Sequence, residues 1–234
     1  LPVFLLAMAL DVQTFKTRSL TAVVFAAVVV TGLCWNIYSF IALCSLILVG
    51  CLVEFYQLNR LIHSPGKIIR LFIPMFYLLL PIGLFLDLGI TQTDTRHVYE
   101  PLLPCGIMFS IWVNDTMAYM VGSWIGKTPL SAVSPKKTWE GTLGGILLSM
   151  AVIGGLGYAL PIASRFDPVV WVLISAVASV FGTIGDLLES KWKRMAGVKD
   201  SGRIMPGHGG FLDRFDSLLL AAPAVWLLIK CIHS

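Results

Sequence analysis

The sequence contains little charge. Asp, Glu, Lys and Arg make up 13% of its 234 residues, whereas soluble domains carry about 25%. Hydrophobic residues account for 57% of the chain, and the mean hydropathy is +0.84. This balance excludes an ordinary water-soluble domain, because so much apolar surface must face something other than water.

Several common signatures are also missing. The five cysteines, at positions 34, 44, 51, 105 and 231, show no CxxC spacing, which argues against a zinc site or a disulfide framework. Neither a Walker A loop nor a GxGxxG fingerprint is present, so a nucleotide would be held in another way. The sequence shows no internal repeat, and we expect no nucleic-acid partner.

Seven apolar segments are long enough to approach or cross a bilayer, for which a helix needs about 20 mostly apolar residues. The sequence predicts spans at 19–35, 37–58, 70–88, 102–121, 140–160, 169–188 and 217–232. The predicted fold class is therefore an all-α polytopic integral membrane protein with about seven transmembrane helices in the lipid bilayer. Residues 1–15 are interpreted as a non-spanning leader.

The distribution of basic residues predicts the orientation, because cytoplasmic loops are enriched in Lys and Arg. With a cytoplasmic N-terminus, 14 of the 17 basic residues fall inside, and Arg96, Arg165 and Lys230 fall outside. We therefore predict an N-in protein of the bacterial inner (cytoplasmic) membrane. Residues 1–98 are the predicted N-terminal transmembrane helices, and 99–234 the predicted catalytic region, with its active site on the cytoplasmic side.

The first motif is VNDTMAYMVGSWIGK, at residues 113–127. On a helix, Asp115, Tyr119, Gly122 and Gly126 would follow one stripe. The two glycines form a small-xxx-small pair, which lets another helix approach closely. The Asn-Asp pair at its start would bind a metal or a polar headgroup, or else Asp115 would bond to a neighbour within a packing face.

The second motif is SPKKTWEG, at residues 134–141. Ser134 is a good N-cap and the following proline suits the first helical position, so we expect a helix to start here. Lys136 and Lys137 would then lie in its first turn, which is unfavourable for the helix dipole unless an anion docks there. The alternative is a basic anchor at the membrane surface.

The third motif is GDLLESKWKR, at residues 185–194. Asp186, Glu189 and Lys193 share one face of a helix that is expected to leave the membrane. A carboxylate followed two turns later by a cation suits a metal-bridged phosphate chain. The alternative is an interfacial anchor held by an i, i+4 pair between Glu189 and Lys193.

The fourth motif, KDSGRIMPGHGGFLDRFD, occupies residues 199–216 just before the last predicted span. Asp213 and Asp216 are three residues apart and share a helical face. Loosely spaced carboxylates without a cysteine partner favour a hard cation, most simply Mg²⁺. His208 in the PGHGG loop would position a substrate phosphate, or else be an ordinary loop histidine.

Together the four motifs predict a site rich in carboxylates and basic side chains at the membrane surface. Phosphoryl and nucleotidyl transfer use such sites, because they depend on positioning and charge neutralisation. The membrane setting predicts that one substrate is a lipid.

The third and fourth motifs run together as SKWKRMAGVKDSGRIMPGHGGFLDRFD (190–216), which resembles the signature of the phosphatidate cytidylyltransferase (CDP-diacylglycerol synthase) family. The matching residues are Ser190, Lys193, Arg194, Lys199, Asp200, Gly202, Pro206, His208, Gly209, Gly210, Asp213, Arg214 and Asp216. The first two motifs resemble the family's upstream motifs, and EFYQL (54–58) its second span. The chain is shorter than typical members.

The resemblance implies the reaction of CTP with phosphatidic acid (phosphatidate) to give CDP-diacylglycerol and pyrophosphate in phospholipid biosynthesis, with Mg²⁺ as cofactor and a second metal ion as an open alternative. It implies Asp186 and Asp213 as metal ligands, with Asp115 and Asp216 as additions. The implied catalytic residues are Asp186, Asp213, Lys193, Arg194, Lys199 and His208. The implied substrate-binding residues are Asn114, Tyr119, Ser134, Lys136, Lys137, Ser190, Asp200, Gly209, Gly210 and Arg214.

Other functions are less consistent with the sequence. A CTP-dependent lipid-alcohol kinase would need a similar site, but the full signature at residues 190–216 argues against that activity. A transporter would place its charges near the membrane midplane, whereas these gather at one edge. The faces formed by Gly122/Gly126 and by Gly141/Gly144/Gly145 would suit either intrachain packing or a homodimer.

Overall fold

The computed structural model describes residues 19–62, 75–92, 97–202 and 209–232. Within these ranges the helices are α1 (Ser19–Cys34), α2 (Ile37–Leu61), α3 (Leu80–Leu88), α4 (Leu102–Ile125), α5 (Trp139–Ala159), α6 (Pro168–Met195) and α7 (Leu212–Ile232). A π-helical turn, Met75–Leu79, leads into α3, and a 3-10 turn, Pro161–Arg165, joins α5 to α6. The predicted leader at residues 1–15 lies outside the described residues.

The helical architecture confirms the prediction of an all-α membrane protein. Four helices, α2, α5, α6 and α7, are long and apolar enough to cross a bilayer, while α1 and Phe76–Leu88 are shorter apolar helices. Helix α4 has 24 residues and carries Asn114 and Asp115. The described helices coincide closely with the seven predicted segments, but a count of seven spans stays a prediction.

The packed core lies between α2 and the antiparallel helices α4 to α7. Helix α4 packs on α5, α5 on α6, and α6 on α7. Helix α7 is the most enclosed, and Phe215, Leu219 and Val225 on it are almost fully buried. Phe40 and Ile47 give α2 a buried face at helical spacing, as expected for an element that packs on one side.

Two short hairpins, which the sequence did not predict, close opposite ends of the bundle. Strands β1 (Ile90–Gln92) and β2 (His97–Tyr99) pair antiparallel near the start of α4, and β3 (Pro129–Ser131) pairs with β4 (Ser134–Thr138) at its far end. Burial raises the pKa of the Tyr99 hydroxyl, which donates to the Leu33 carbonyl and ties the first hairpin to α1.

The second hairpin corrects one sequence prediction. Ser134 does not cap a helix, and Lys136 and Lys137 do not lie in a first helical turn, because this stretch is strand β4. Helix α5 begins at Trp139 with Thr138 as its N-cap, whose hydroxyl oxygen accepts a hydrogen bond from Gly141 N at 3.1 Å. Threonine is also a good N-cap. Because β4 pairs with β3, the helix starts at Trp139 rather than just after Ser134.

The ends of α6 and α7 away from the second hairpin are held by ion pairs. Arg165 contacts Glu100, and Lys230 Nζ lies 3.6 Å from Asp87 Oδ2. Trp226 Nε1 donates to the same Asp87 carboxylate at 2.7 Å. Arg165 and Lys230 are two of the three basic residues predicted to lie outside the cytoplasm. Both are therefore at the end of the bundle away from Asp213.

Glycines on α5 let it approach α4 closely. A Cβ on Gly145 would lie 2.7 Å from Ala118 Cβ and 2.9 Å from Asn114 O, and one on Gly141 would lie 2.9 Å from Gly122 Cα. The small-residue faces predicted from the sequence thus serve intrachain packing. Whether the chain also forms a homodimer stays a prediction.

Gly145→Ala is expected to destabilise the protein, because backbone atoms of α4 would have to move to admit the methyl group. Overpacking of this kind costs about 1–3 kcal/mol. Gly155→Ala on the same helix is the matched control, since its Cβ would meet nothing within 4 Å. Thermal unfolding in detergent should show a lower Tm for Gly145→Ala only, and an equal Tm for both variants would contradict the close packing.

Candidate active site

A polar cavity of about 600 Å³ opens where the C-terminal halves of α4 and α6 meet the N-terminal ends of α5 and α7. The cavity forms here because neighbouring helices run antiparallel, which brings these four helix ends to the same side of the bundle. The sequence-predicted residues that line the cavity are Asn114, Asp115, Tyr119, Lys136, Lys137, Asp186, Lys193, Asp200, Asp213, Arg214 and Asp216.

Three carboxylates form a cluster beside this cavity. Asp186, Glu189 and Asp216 each present an oxygen, and these oxygens lie within 4.8 Å of one another. Glu189 and Asp216 are buried, while Asp186 is partly exposed. Ser190 Oγ donates to Asp186 Oδ1 at 3.2 Å, and Ser217 N donates to Asp216 Oδ1 at 2.6 Å. Like charges at this separation repel, so the cluster calls for a cation.

The cluster fits a hard divalent cation. Glu189 is fully buried, and its Oε1 accepts no hydrogen bond from any residue that the structure describes. An orphaned buried oxygen is costly unless something binds it, and carboxylate oxygens are the ligands that Mg²⁺ prefers. The metal set predicted from the sequence contained Asp186 and Asp216 but omitted Glu189. Asp115 lines the same cavity with an exposed side chain.

Asp213 is held differently from the three clustered acids. Its Oδ1 accepts from Lys193 Nζ at 2.6 Å, and its Oδ2 accepts from Ser201 N at 2.9 Å and Gly210 N at 2.8 Å, with Ser201 Oγ 2.9 Å away. Lys193 also contacts Glu189, one turn earlier on α6, which confirms the predicted i, i+4 pair. Asp213 thus anchors a loop and an ammonium group, and its predicted role as a metal ligand stays a prediction.

Basic side chains line the cavity opposite the carboxylates. Lys137 contacts Asp186 across the gap between β4 and α6. Lys136 and Arg214 have exposed side chains that also line the cavity. Since these cations come from the hairpin and from α7, they surround the open volume rather than lying on one helix. The arrangement can neutralise a polyanion inside the cavity.

The hairpin that carries the lysines is fixed by Glu140 on the first turn of α5. Its carboxylate accepts hydrogen bonds from Lys127 N at 3.2 Å, from Thr128 N at 3.2 Å and from Thr128 Oγ1 at 2.8 Å. These bonds tie the start of the hairpin to the helix that follows it.

Asn114 supplies a further unpaired polar atom. It is buried, its Nδ2 lies 3.5 Å from Asp115 Oδ1, and its Oδ1 finds no partner within the described ranges. Tyr119, one turn further along α4, is 78% exposed and lines the cavity. Both residues line the cavity, and their predicted contact with a substrate stays a prediction.

The remaining predicted residues that the structure describes do not line the cavity. Ser134 lies at the start of β4, and Ser190 acts through Asp186. Arg194 Nη1 donates to Val198 O at 3.2 Å, close to the end of α6, and Lys199 is exposed. His208 lies outside the described residues.

The two glycines of the signature pack against the protein's own carboxylates. Gly209 has a φ of +82°, and a Cβ there would lie 2.6 Å from Asp213 Oδ2. A Cβ on Gly210 would overlap the carboxylate of Glu54. Glycine tolerates the left-handed backbone of Gly209, and at both positions the missing Cβ leaves room for the neighbouring carboxylate. Their predicted contact with a phosphate stays a prediction.

Glu54 on α2 is the residue that sequence reasoning missed. It is 1% exposed, yet it accepts from Ser201 Oγ at 2.7 Å and from Phe211 N and Leu212 N at 2.9 Å. It therefore binds the connection between α6 and α7 at Ser201 and again at the start of α7. An acidic residue within an apolar span is the signal that could have identified it.

Comparison with known proteins is consistent with this geometry. A model of the cytidylyltransferase family matches residues 68–232. The phosphatidate cytidylyltransferase of Staphylococcus aureus (strain COL) is 45% identical over 122 residues, which cover 51% of this chain and 45% of the relative. That of Synechocystis sp. is 40% identical over 156 residues, covering 64% of this chain and 52% of the relative. The chain thus spans about half the length of the curated relatives it matches.

Proposed function

Because this chain belongs to the cytidylyltransferase family, we propose that it transfers the cytidylyl group of CTP to phosphatidate. The products are CDP-diacylglycerol and pyrophosphate. The observation that carries the proposal is the cavity lined by Asp186, Asp216, Lys137 and Arg214, with the buried Glu189 clustered beside the two aspartates. Its charges match two phosphate-bearing substrates, and the curated relatives bear the name of this activity.

The reaction needs little covalent help from the protein. A phosphate oxygen of phosphatidate attacks the α-phosphorus of CTP, and the bond from that phosphorus to the bridging oxygen of the β-phosphate breaks. The second pKa of a phosphate monoester is about 6, so the nucleophile is mostly a dianion at neutral pH. No side chain has to remove a proton, and the protein's task is to position and neutralise the reacting groups.

The basic residues of the cavity perform the neutralisation. Lys136, Lys137 and Arg214 bind phosphate oxygens of the two substrates, and Lys193 supplies a fixed positive charge beside Asp213. Cations held in place by the fold neutralise the charge on the reacting phosphates without having to reorganise. Arg194 and Lys199 are exposed outside the cavity lining, so their charges would attract CTP rather than contact the reacting atoms.

Asp186, Glu189 and Asp216 would hold Mg²⁺, with Asp115 in reach of the same cavity. When bound, Mg²⁺ neutralises charge on phosphate oxygens and helps orient the triphosphate. Asn114 and Tyr119 on the facing helix are then left to contact the nucleotide or the lipid headgroup. Lys137, through its contact with Asp186, links the carboxylate cluster to the phosphate-binding side of the cavity.

The shape of the site supports a lipid acceptor. Phe25 of α1 lines the polar cavity and also an adjoining apolar groove of about 190 Å³. The groove is walled by side chains of α1, α2 and α7, including Leu46 and Phe215. A substrate with a phosphate head and an acyl chain would use both spaces. A free nucleotide or a soluble phosphate ester would use only the first.

We also propose that the site lies at the cytoplasmic face of the bacterial inner membrane, where CTP is available. Helix α6 has 28 residues and is about 42 Å long, which exceeds the roughly 30 Å hydrocarbon core. Its last turns, from Asp186 onwards, would therefore project into the aqueous interface. The seven helices would all cross or enter the bilayer.

Product analysis tests the proposed function. Purified protein in detergent, given radiolabelled CTP, phosphatidate and Mg²⁺, is expected to form a lipid-soluble cytidine product together with pyrophosphate. EDTA should abolish the product, and excess Mg²⁺ should restore it. Diacylglycerol in place of phosphatidate should give none. Folded protein that binds CTP but forms product only with diacylglycerol, or with neither lipid, would contradict the proposal.

A further inference from the structure

Glu54 is a charged group buried on α2, with 1% of its surface exposed. A buried carboxylate is tolerated when hydrogen-bond donors satisfy it. Both of its oxygens are satisfied here. Phe211 N donates to Oε1 at 2.9 Å, and Leu212 N and Ser201 Oγ donate to Oε2 at 2.9 Å and 2.7 Å. Each of these donors belongs to the signature segment rather than to α2.

The bonds to Phe211 and Leu212 cap helix α7. Leu212 is its first residue, and the first N–H groups of a helix have no partner within the helix. They are usually satisfied by a side chain just before the helix. Glu54 supplies this cap from another helix, and so fixes where α7 begins relative to α2. Asp213 and Asp216 lie within the two turns that follow.

Ser201 connects Glu54 to the cavity. Its hydroxyl lies 2.7 Å from Glu54 Oε2 and 2.9 Å from Asp213 Oδ2, and Asp213 in turn accepts from Lys193 Nζ at 2.6 Å. Because Asp213 lines the cavity, the path from the buried acid to the cavity lining consists of two direct contacts. A Cβ on Gly202 or Gly210 would overlap the Glu54 carboxylate, so the segment wraps it closely.

We propose that Glu54 is a positioning residue for cytidylyl transfer. It holds Ser201 and the start of α7 so that Asp213, Lys193 and Asp216 keep their places around the cavity. The proposal rests on the proposed function, and it adds a contribution from α2. Glu54 lies outside residues 68–232 that match the family, so the site is incomplete without the N-terminal helices.

Glu54→Gln tests this inference with little change in shape. The amide places an N–H₂ group against hydroxyl or N–H donors, so at least one contact with Ser201, Phe211 or Leu212 is lost. Because a hydrogen bond to a charged group is stronger than one between neutral groups, its loss is expected to lower kcat/KM about 10- to 100-fold. We expect kcat to fall more than the KM for CTP, and the Mg²⁺ concentration for half-maximal activity to rise. Glu54→Asp, which retains both oxygens, should recover part of the activity.

A readout that does not depend on activity separates positioning from chemistry. Hydrogen exchange of peptides covering 209–216 is expected to be faster in Glu54→Gln than in the wild type, because the amide of Phe211 or of Leu212 loses its acceptor. Leu58→Ala, one turn further along α2 and equally buried, is the matched control. It should lower the Tm through lost packing while leaving the Mg²⁺ midpoint and the exchange of 209–216 unchanged.

Each outcome decides the inference. Wild-type kcat/KM and unchanged exchange in Glu54→Gln would overturn it, and so would Leu58→Ala reproducing every change seen in Glu54→Gln. If the wild type forms no CDP-diacylglycerol, the proposed function fails. The exchange comparison then still decides whether Glu54 holds the start of α7.

Discussion

Asp186→Asn is expected to lower cytidylyl transfer on the order of 10³-fold while leaving the protein folded. The substitution preserves shape but removes a charge from the cluster with Glu189 and Asp216, and it weakens the contact with Lys137. Both the cation-binding side and the phosphate-binding side of the cavity are therefore affected. Titrating Mg²⁺ against activity should show a higher midpoint as well as a lower maximum.

Asp167→Asn is the matched control for this prediction. Asp167 caps the other end of α6, where its carboxylate accepts from Val169 N at 2.8 Å. Asparagine caps helices about as well as aspartate, so activity and Tm should remain close to the wild type. If Asp186→Asn kept more than about a tenth of the activity with an unchanged Mg²⁺ midpoint, the cluster would not be the metal site.

Lys193→Met is expected to impair both stability and activity. Lys193 is buried between Glu189 and Asp213, with its Nζ 2.6 Å from Asp213 Oδ1. Removing one partner of a buried ionic group leaves uncompensated charge and costs about 3–5 kcal/mol. Thermal unfolding in detergent should show a markedly lower Tm. Transfer activity should be undetectable even at temperatures where the variant is folded, because Asp213 and the loop it anchors would shift.

Lys191→Met is the comparison variant, since Lys191 lies two residues away on the same helix with an exposed side chain. Exposed charges contribute little to stability, so its Tm and activity should match the wild type. A Lys193→Met protein that unfolds within about 2 °C of the wild type would show that Lys193 is not needed to balance the buried carboxylates.

The helices could be predicted from sequence because their signal is long and local. Apolar runs ending near Asp186 and beginning near Asp216 define α6 and α7 without tertiary information. The hairpin before α5 could not be predicted in this way. Ser134 and Thr138 are both acceptable N-caps, and the choice depends on pairing with Pro129–Ser131, which no local pattern reveals.

The sequence pointed to many of the residues that line the cavity, but to fewer of the contacts between them. The four motifs predicted one shared site, and the structure places Asp186, Asp216 and Lys137 around one cavity. The motif spacing did not separate the clustered Glu189 from the loop-anchoring Asp213, since both appeared as acids on helical faces. Glu54 lies 147 residues from Ser201 in the sequence, and its contacts arise only when α2 packs beside the start of α7.

The most direct test of cytidylyl transfer in this cavity follows the phosphorus atoms of CTP. Purified protein is incubated with phosphatidate, Mg²⁺ and CTP labelled with ³²P at either the α- or the γ-phosphate, and the lipid fraction is counted. We predict that α-label enters the lipid and that γ-label is recovered as pyrophosphate. Transfer of γ-label to the lipid would instead identify a CTP-dependent kinase, and would contradict the proposed attack on the α-phosphorus.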